Sequence, residues 1–88
     1  MAASAKVYVA VLAAFTEDGR LMPQRLRWED GREINIDKVL DVRPAAAHKA
    51  GGQGDRYIIQ VQGRQIYLFF EKSTDIDDPN LGRWFIER

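Results

Sequence analysis

Apolar residues recur at every second position through much of the chain, and short turn-forming clusters interrupt them every eight to twelve residues. A period of two belongs to the pleated strand, whose side chains project to alternate faces. Turn signals at this spacing are those of an all-β sandwich or barrel. The first run, Lys6 to Phe15, places Val7, Val9, Val11 and Phe15 on one face and Tyr8 and Leu12 on the other. Both faces are largely apolar, so this strand is expected to be buried on both sides. Its alanines permit a helix, whereas three valines and a tyrosine favour a strand. Thr16-Glu17-Asp18-Gly19 reads as a turn in which Gly19 supplies a positive φ. From Arg20 to Trp28 the chain alternates again, with Met22, Leu26 and Trp28 opposite Arg25 and Arg27. Pro23 has no backbone donor, which predicts a sheet edge or a bulge. Glu29-Asp30-Gly31 is a second hairpin-type turn.

Between Arg32 and Arg43, Ile34 and Ile36 face inward but Lys38 falls out of phase, so a bend is expected near Asp37-Lys38, before Val39, Leu40 and Val42. Pro44 is expected to end that strand. Residues 44–55, rich in Ala and Gly, read as one long flexible loop, with room for a helical turn over Ala45 to Lys49 before the glycines stop it. The clearest hairpin follows: Arg56 to Val61 and Arg64 to Phe70 flank Gln62-Gly63. A two-residue loop there pairs Val61 with Arg64 and sets the remaining register. Ile59 then faces Ile66 and Tyr57 faces Leu68 on one surface; Gln60 faces Gln65, Ile58 faces Tyr67 and Arg56 faces Phe69 on the other. A polar stretch, Lys72 to Gly82, leads to a last strand, Arg83 to Glu87, with Trp84 and Phe85 on opposite faces; one of the two is expected to be partly exposed unless a further layer covers it. The expected architecture is a single all-β domain over residues 1–88 with residues 1–5 disordered: a meander of five or six strands forming a small barrel or a strongly bent antiparallel sheet.

Composition narrows the function classes. An 88-residue chain buries only about 60–65% of the surface its unfolded form exposes, so its core is thin. Thirteen basic and thirteen acidic residues cancel, and they cancel within each half of the chain as well. Duplex DNA binding draws on a strong positive bias, which is missing here. The absence of cysteine removes disulfides, thiolate nucleophiles and Cys-based zinc sites, and favours a reducing compartment. The longest apolar run, Val7 to Phe15, is far short of the ~20 residues of a membrane span.

Catalytic signals are weak. His48 is the single histidine, on the expected loop, and neither Ser4 nor Ser73 sits in a nucleophile-elbow pattern. Asp75, Asp77 and Asp78 are close in sequence, but Pro79 and Ile86 stand where a calcium loop needs ligands, so turn-forming carboxylates are the better reading. Lys49 opens a glycine-rich run whose amides suit an anion, yet the order of a phosphate loop is missing. No enzyme, metal site or cofactor is therefore expected. The second hairpin face stands out: Arg56, Ile58, Tyr67 and Phe69 combine aromatic, apolar and basic character. Either that face is packed as core, or it is a contact surface. The leading expectation is a non-catalytic binding or protein-interaction module, using Arg56, Ile58, Tyr67, Phe69 and Lys49, or a module that self-associates through an exposed edge strand. The alternative is a small barrel binding single-stranded nucleic acid by stacking bases on aromatics beside Arg.

The stretches Trp28-Glu-Asp-Gly-Arg32, Val39-Leu-Asp-Val-Arg43, Lys49-Ala-Gly-Gly52, Gly54-Asp-Arg-Tyr57, Tyr67-Leu-Phe-Phe-Glu71 and Arg83-Trp-Phe-Ile-Glu87 together resemble a family of short uncharacterised bacterial proteins, a domain of unknown function. The resemblance implies a small bacterial cytoplasmic β-protein. It brings no activity, ligand or catalytic residue. The acidic stretch from Asp75 to Asn80 and the Ala-rich start depart from the family's pattern.

Overall fold

The computed structural model describes residues 6–47, 52–73 and 76–87. Residues 1–5, His48, Lys49 and Asp75, about which the sequence raised expectations, lie outside the described residues. Seven antiparallel strands form one sheet: β1 (Lys6–Phe15), β2 (Leu21–Arg27), β3 (Glu33–Asn35), β4 (Lys38–Ala47), β5 (Gly52–Val61), β6 (Arg64–Lys72) and β7 (Gly82–Glu87). Their order across the sheet is β3-β2-β1-β7-β6-β5-β4. Two meanders, β1–β3 and β4–β7, are thus joined by the pairing of β1 with β7.

The glycine turns form as the sequence indicates. Gly19 and Gly31 have φ of +83° and +90°, a region open chiefly to glycine. At Gln62-Gly63 both residues have positive φ, 51° and 78°, the signature of a type I′ hairpin. The register that follows pairs Val61 with Arg64, Ile59 with Ile66, Tyr57 with Leu68 and Arg56 with Phe69. Pro23 lies at a bulge: Leu12 pairs with Arg25 and Ala13 with Pro23, leaving Gln24 as the extra residue on β2.

The expected bend at Asp37-Lys38 is a complete break, and this is why there are seven strands rather than five or six. β3 pairs with β2 at one edge of the sheet, whereas β4, two residues further on, pairs with β5 at the other. Three Cα–Cα steps separate Asn35 from Lys38, at most about 11 Å, so the sheet must curl until its two edges meet there. Ile36 N–H donates to the Gln24 carbonyl of β2 (2.9 Å) and Asp37 N–H to the Gln60 carbonyl of β5 (2.8 Å), fastening that end. The result is a half-barrel closed at one end.

Residues 44–47 and 52–55 are strand rather than loop, and Ala45–Ala47 are not helical. β4 and β5 stay paired to Ala47↔Gly52, with Pro44 opposite Asp55. Pro44 does not end its strand because β4 is an edge, where a missing donor breaks no ladder bond. Gly54 is there for close approach: a Cβ at this position would lie 2.0 Å from the Phe70 carbonyl oxygen of β6, and one at Gly82 would lie 2.2 Å from that of Glu71. Glycines on both neighbours of β6 let the sheet bend tightly around it.

The concave side is the core. Leu26, Tyr57, Ile59, Val61, Leu68, Phe70 and Ile86 are buried together, with Val7, Val9, Val11, Trp28, Ile34 and Trp84 packed against them. β1 is not buried on both faces: Tyr8 and Leu12 are exposed on the convex side, and Phe15 is exposed at the strand end. One curled layer leaves nothing to cover them. Phe85 lies on the convex side yet is only 4% exposed. The stacked ring of Phe69 (4.9 Å), the edge-on ring of Tyr8 (5.8 Å) and the Lys6 ammonium (4.8 Å) cover it. The partly exposed member of the pair is Trp84, on the concave side against Tyr57 and Phe70.

Candidate functional site

Two surfaces carry the chemistry. The first is the open end of the half-barrel, which sequence reasoning missed. Away from residues 36–37 the edges diverge, because β3 spans only three residues and leaves the start of β2 uncovered. The gap is a cleft of about 800 Å³ between β2 and β4. Its apolar walls include Phe15, Leu21, Met22, Leu40, Val42 and Leu81, and its floor is Tyr57 and Phe70. Phe15 (63%) and Leu81 (68%) are well exposed, and Leu40 and Val42 also face solvent. Contiguous exposure of this kind marks a contact site more often than chance scatter does.

The backbone along the cleft offers an added strand few donors. On β4, the Val42 N–H donates to the neighbouring Asp41 carboxylate (3.0 Å), so it points along the free edge and is already satisfied. Pro44, two residues on and therefore turned the same way, has no N–H. The register slips between Val39 and Asp41, leaving Leu40 as a bulge. On β2, the Leu21 carbonyl accepts the Tyr57 hydroxyl at 2.6 Å across the barrel, and Pro23 again lacks a donor. Prolines, bulges and self-satisfied edges are the devices by which sheets resist pairing with another chain.

Charge is balanced around the cleft. Arg20 pairs with Asp18 (3.3 Å), Arg43 with Asp41 (2.7 Å) and Lys72 with Asp55 (3.9 Å). The Thr16 hydroxyl holds the Asp18 carboxyl below the usual range. Burial, with a smaller contribution from the nearby Asp55 charge, pushes the Tyr57 hydroxyl up to about 12. Tyr57 therefore keeps its proton at neutral pH and donates it to Leu21. It is not a base.

The second surface is the convex face. Strand register places Arg56, Ile58, Tyr67 and Phe69 together there, as the sequence indicates, alongside Tyr8, Phe85 and Arg83. Among the described residues no second layer covers them. Tyr67 is 55% exposed, with the Arg56 guanidinium 5.3 Å from its ring centre, and the Arg83 guanidinium lies 4.2 Å from that of Tyr8. Arg56 Nε is buried without a hydrogen-bond partner. Glu71 accepts from Lys6 (2.8 Å) and sits 3.7 Å from Arg83. The Lys6 hydrogen bond holds the Glu71 carboxyl below the usual range, and the same bond raises Lys6.

Asp78 accepts from the Asn80 N–H and the Ser73 hydroxyl, which makes it a turn-former in the β6–β7 connection. Among the described residues, no group of three or more acidic or histidine side chains converges as metal ligands would, and no helix is long and apolar enough to cross a membrane. The chain matches no family model, no curated protein and no solved structure.

Proposed function

We propose that this chain is a non-catalytic binding module of the cytoplasm that takes an uncharged apolar group into the open end of its half-barrel. The observation that carries this reading is the cleft itself: exposed apolar walls, paired charges at the rim and edges poor in free backbone donors. Pockets of 300–1,000 Å³ at the mouths of barrels are common ligand sites. With its backbone donors satisfied or missing, this one favours a small apolar molecule or a partner's apolar side chains over an extended peptide. Tyr57, committed to Leu21 and protonated up to about 12, supports binding rather than acid–base chemistry. The lack of cysteine supports the compartment.

An uncharged naphthalene fluorophore titrated into the protein tests the reading. Saturable blue-shifted emission is expected, with amide shifts confined to residues 15–22, 39–42 and 81. Leu40→Lys, at a solvent-facing position, should abolish the signal while leaving the spectrum of the remaining amides unchanged. Binding that survives Leu40→Lys, or no binding up to the probe's solubility, overturns it.

A further inference from the structure

The convex face departs from the chain's overall neutrality. Residues paired in register share a face, which places Lys6, Arg25, Arg27, Arg43, Arg56 and Arg83 outward. Their carboxylate partners are too few. Glu71 serves both Lys6 and Arg83, and Glu33 serves both Arg25 (3.7 Å) and Arg27 (3.3 Å). Asp41 answers Arg43 one for one; Lys38 on β4 and Glu87 on β7, the latter opposite Lys6, are also outward and cancel only in the sum. Arg56 has no carboxylate of the described residues within ion-pairing distance; its contact is the Tyr67 ring. Counted over the described residues, the face is thus three charges positive, in a chain whose total is zero.

Aromatic rings interleave with these cations. Tyr8 and Tyr67 are the exposed ones. They stand two strands and two residues apart, about 12 Å between backbones, far enough for each to take its own base. We propose that this face binds single-stranded nucleic acid, with bases stacked on Tyr67 and Tyr8 and phosphates met by Arg56, Arg83 and Lys6. A positive groove with exposed rings is the recurring design of single-strand binders. Arg56 couples the two halves of the contact. A phosphate that draws its guanidinium off Tyr67 gives Nε the acceptor it lacks and frees the ring for a base. The proposal is independent of the cleft, which opens on the concave side.

Fluorescence anisotropy of labelled single strands of about 15 nucleotides, thymidine and uridine, tests it. Binding is expected at about 50 mM salt and to weaken steeply towards 200 mM, with a log–log slope near −2 for about three phosphates neutralised. Tyr67→Ala should weaken binding by about tenfold or more, and Arg56→Gln should also lower the slope by about 0.7. Both positions lie on the outer surface, and unchanged amide dispersion away from the face shows that the variants fold. Polyphosphate is the control without bases. If it binds as tightly as the oligonucleotides and Tyr67→Ala has no effect, the face is a bare cationic patch and the proposal fails. Absence of binding at low salt overturns it equally.

Discussion

Tyr57→Phe isolates one bond across the half-barrel. The hydroxyl donates to the Leu21 carbonyl at 2.6 Å, linking β5 to β2 where no strand pairing joins them. Removing it leaves the ring, its contact with Trp84 (5.3 Å) and the core volume in place. A net hydrogen bond contributes about 1 kcal/mol, which lowers Tm by about 4–8 °C in a domain of this size. The pH dependence is the sharper test. Tyr57 is raised from 10.0 to about 12 in the folded protein, so the unfolded chain loses the proton first. The stability this group contributes is complete below pH 10 and drains away as pH rises from 10 through 12. A shift of this size corresponds to at most about 2.7 kcal/mol; solvent in the cleft beside the ring screens it to about 1–2 kcal/mol. The difference between wild type and Tyr57→Phe should therefore close near pH 11, where the loss matches the bond. Urea unfolding followed by Trp fluorescence from about pH 8 to 11.5 reads it, and the other titrating groups cancel between the two proteins. A gap that stays constant over that range refutes the reasoning.

Glu71→Gln should cost about 0.5–1 kcal/mol at neutral pH after solvent screening, because it breaks the 2.8 Å bond from Lys6. Since the folded Glu71 lies below its ordinary 4.5, the gap to wild type should shrink as pH falls from 4.5 through that lower value, as read by urea midpoints at neutral and acid pH. Gly54→Ala places a methyl 2.0 Å from a β6 carbonyl oxygen. It should cost about 1–3 kcal/mol through displaced strands, with amide shifts centred on Phe70 and Glu71. Asp41→Ala combined with Pro44→Val restores two outward donors to β4, so a concentration-dependent dimer should appear by light scattering; a strictly monomeric double variant would argue that the edge is closed by something else.

What the sequence made legible was local. Glycine turns, the Gln62-Gly63 loop and the register it imposes rest on φ angles and on a period of two, and neither needs distant residues. The bulge at Pro23 was legible for the same reason. The destination of each strand was not. Nothing between Ile34 and Leu40 signals that the chain leaves one edge of the sheet and joins the other, because the closing bonds, from Ile36 to Gln24 and from Asp37 to Gln60, connect positions far apart in sequence. Pro44 and Gly54 point to a loop in the sequence because their usual meaning is a stop. At an edge, and beside a tightly curved neighbour, the same residues are compatible with a strand. The cleft was hidden for a related reason: Phe15, Leu40 and Leu81 come from a strand end, a bulge and a polar connection. Leu40 and Leu81 are apolar side chains out of phase with their surroundings, whereas Phe15 keeps the phase of Val7, Val9 and Val11 and gives no such signal.

A single curled layer also separates what can be probed from what must be kept. Phe85 is covered by Phe69, Tyr8 and Lys6 rather than by another sheet, so part of the convex face belongs to the stability of the fold. Substituting Phe69 would remove a stacked ring from a side chain that is 4% exposed and expose it to water, confounding any loss of binding with loss of packing. Tyr67 and Arg56 stand on the same face with their partner in each other; Arg56 lies opposite Phe69 in register and so borders the Phe85 cluster, whereas Tyr67 is 55% exposed. Tyr67 can therefore be changed with little effect on the core, and a loss of oligonucleotide binding there reports on the surface itself.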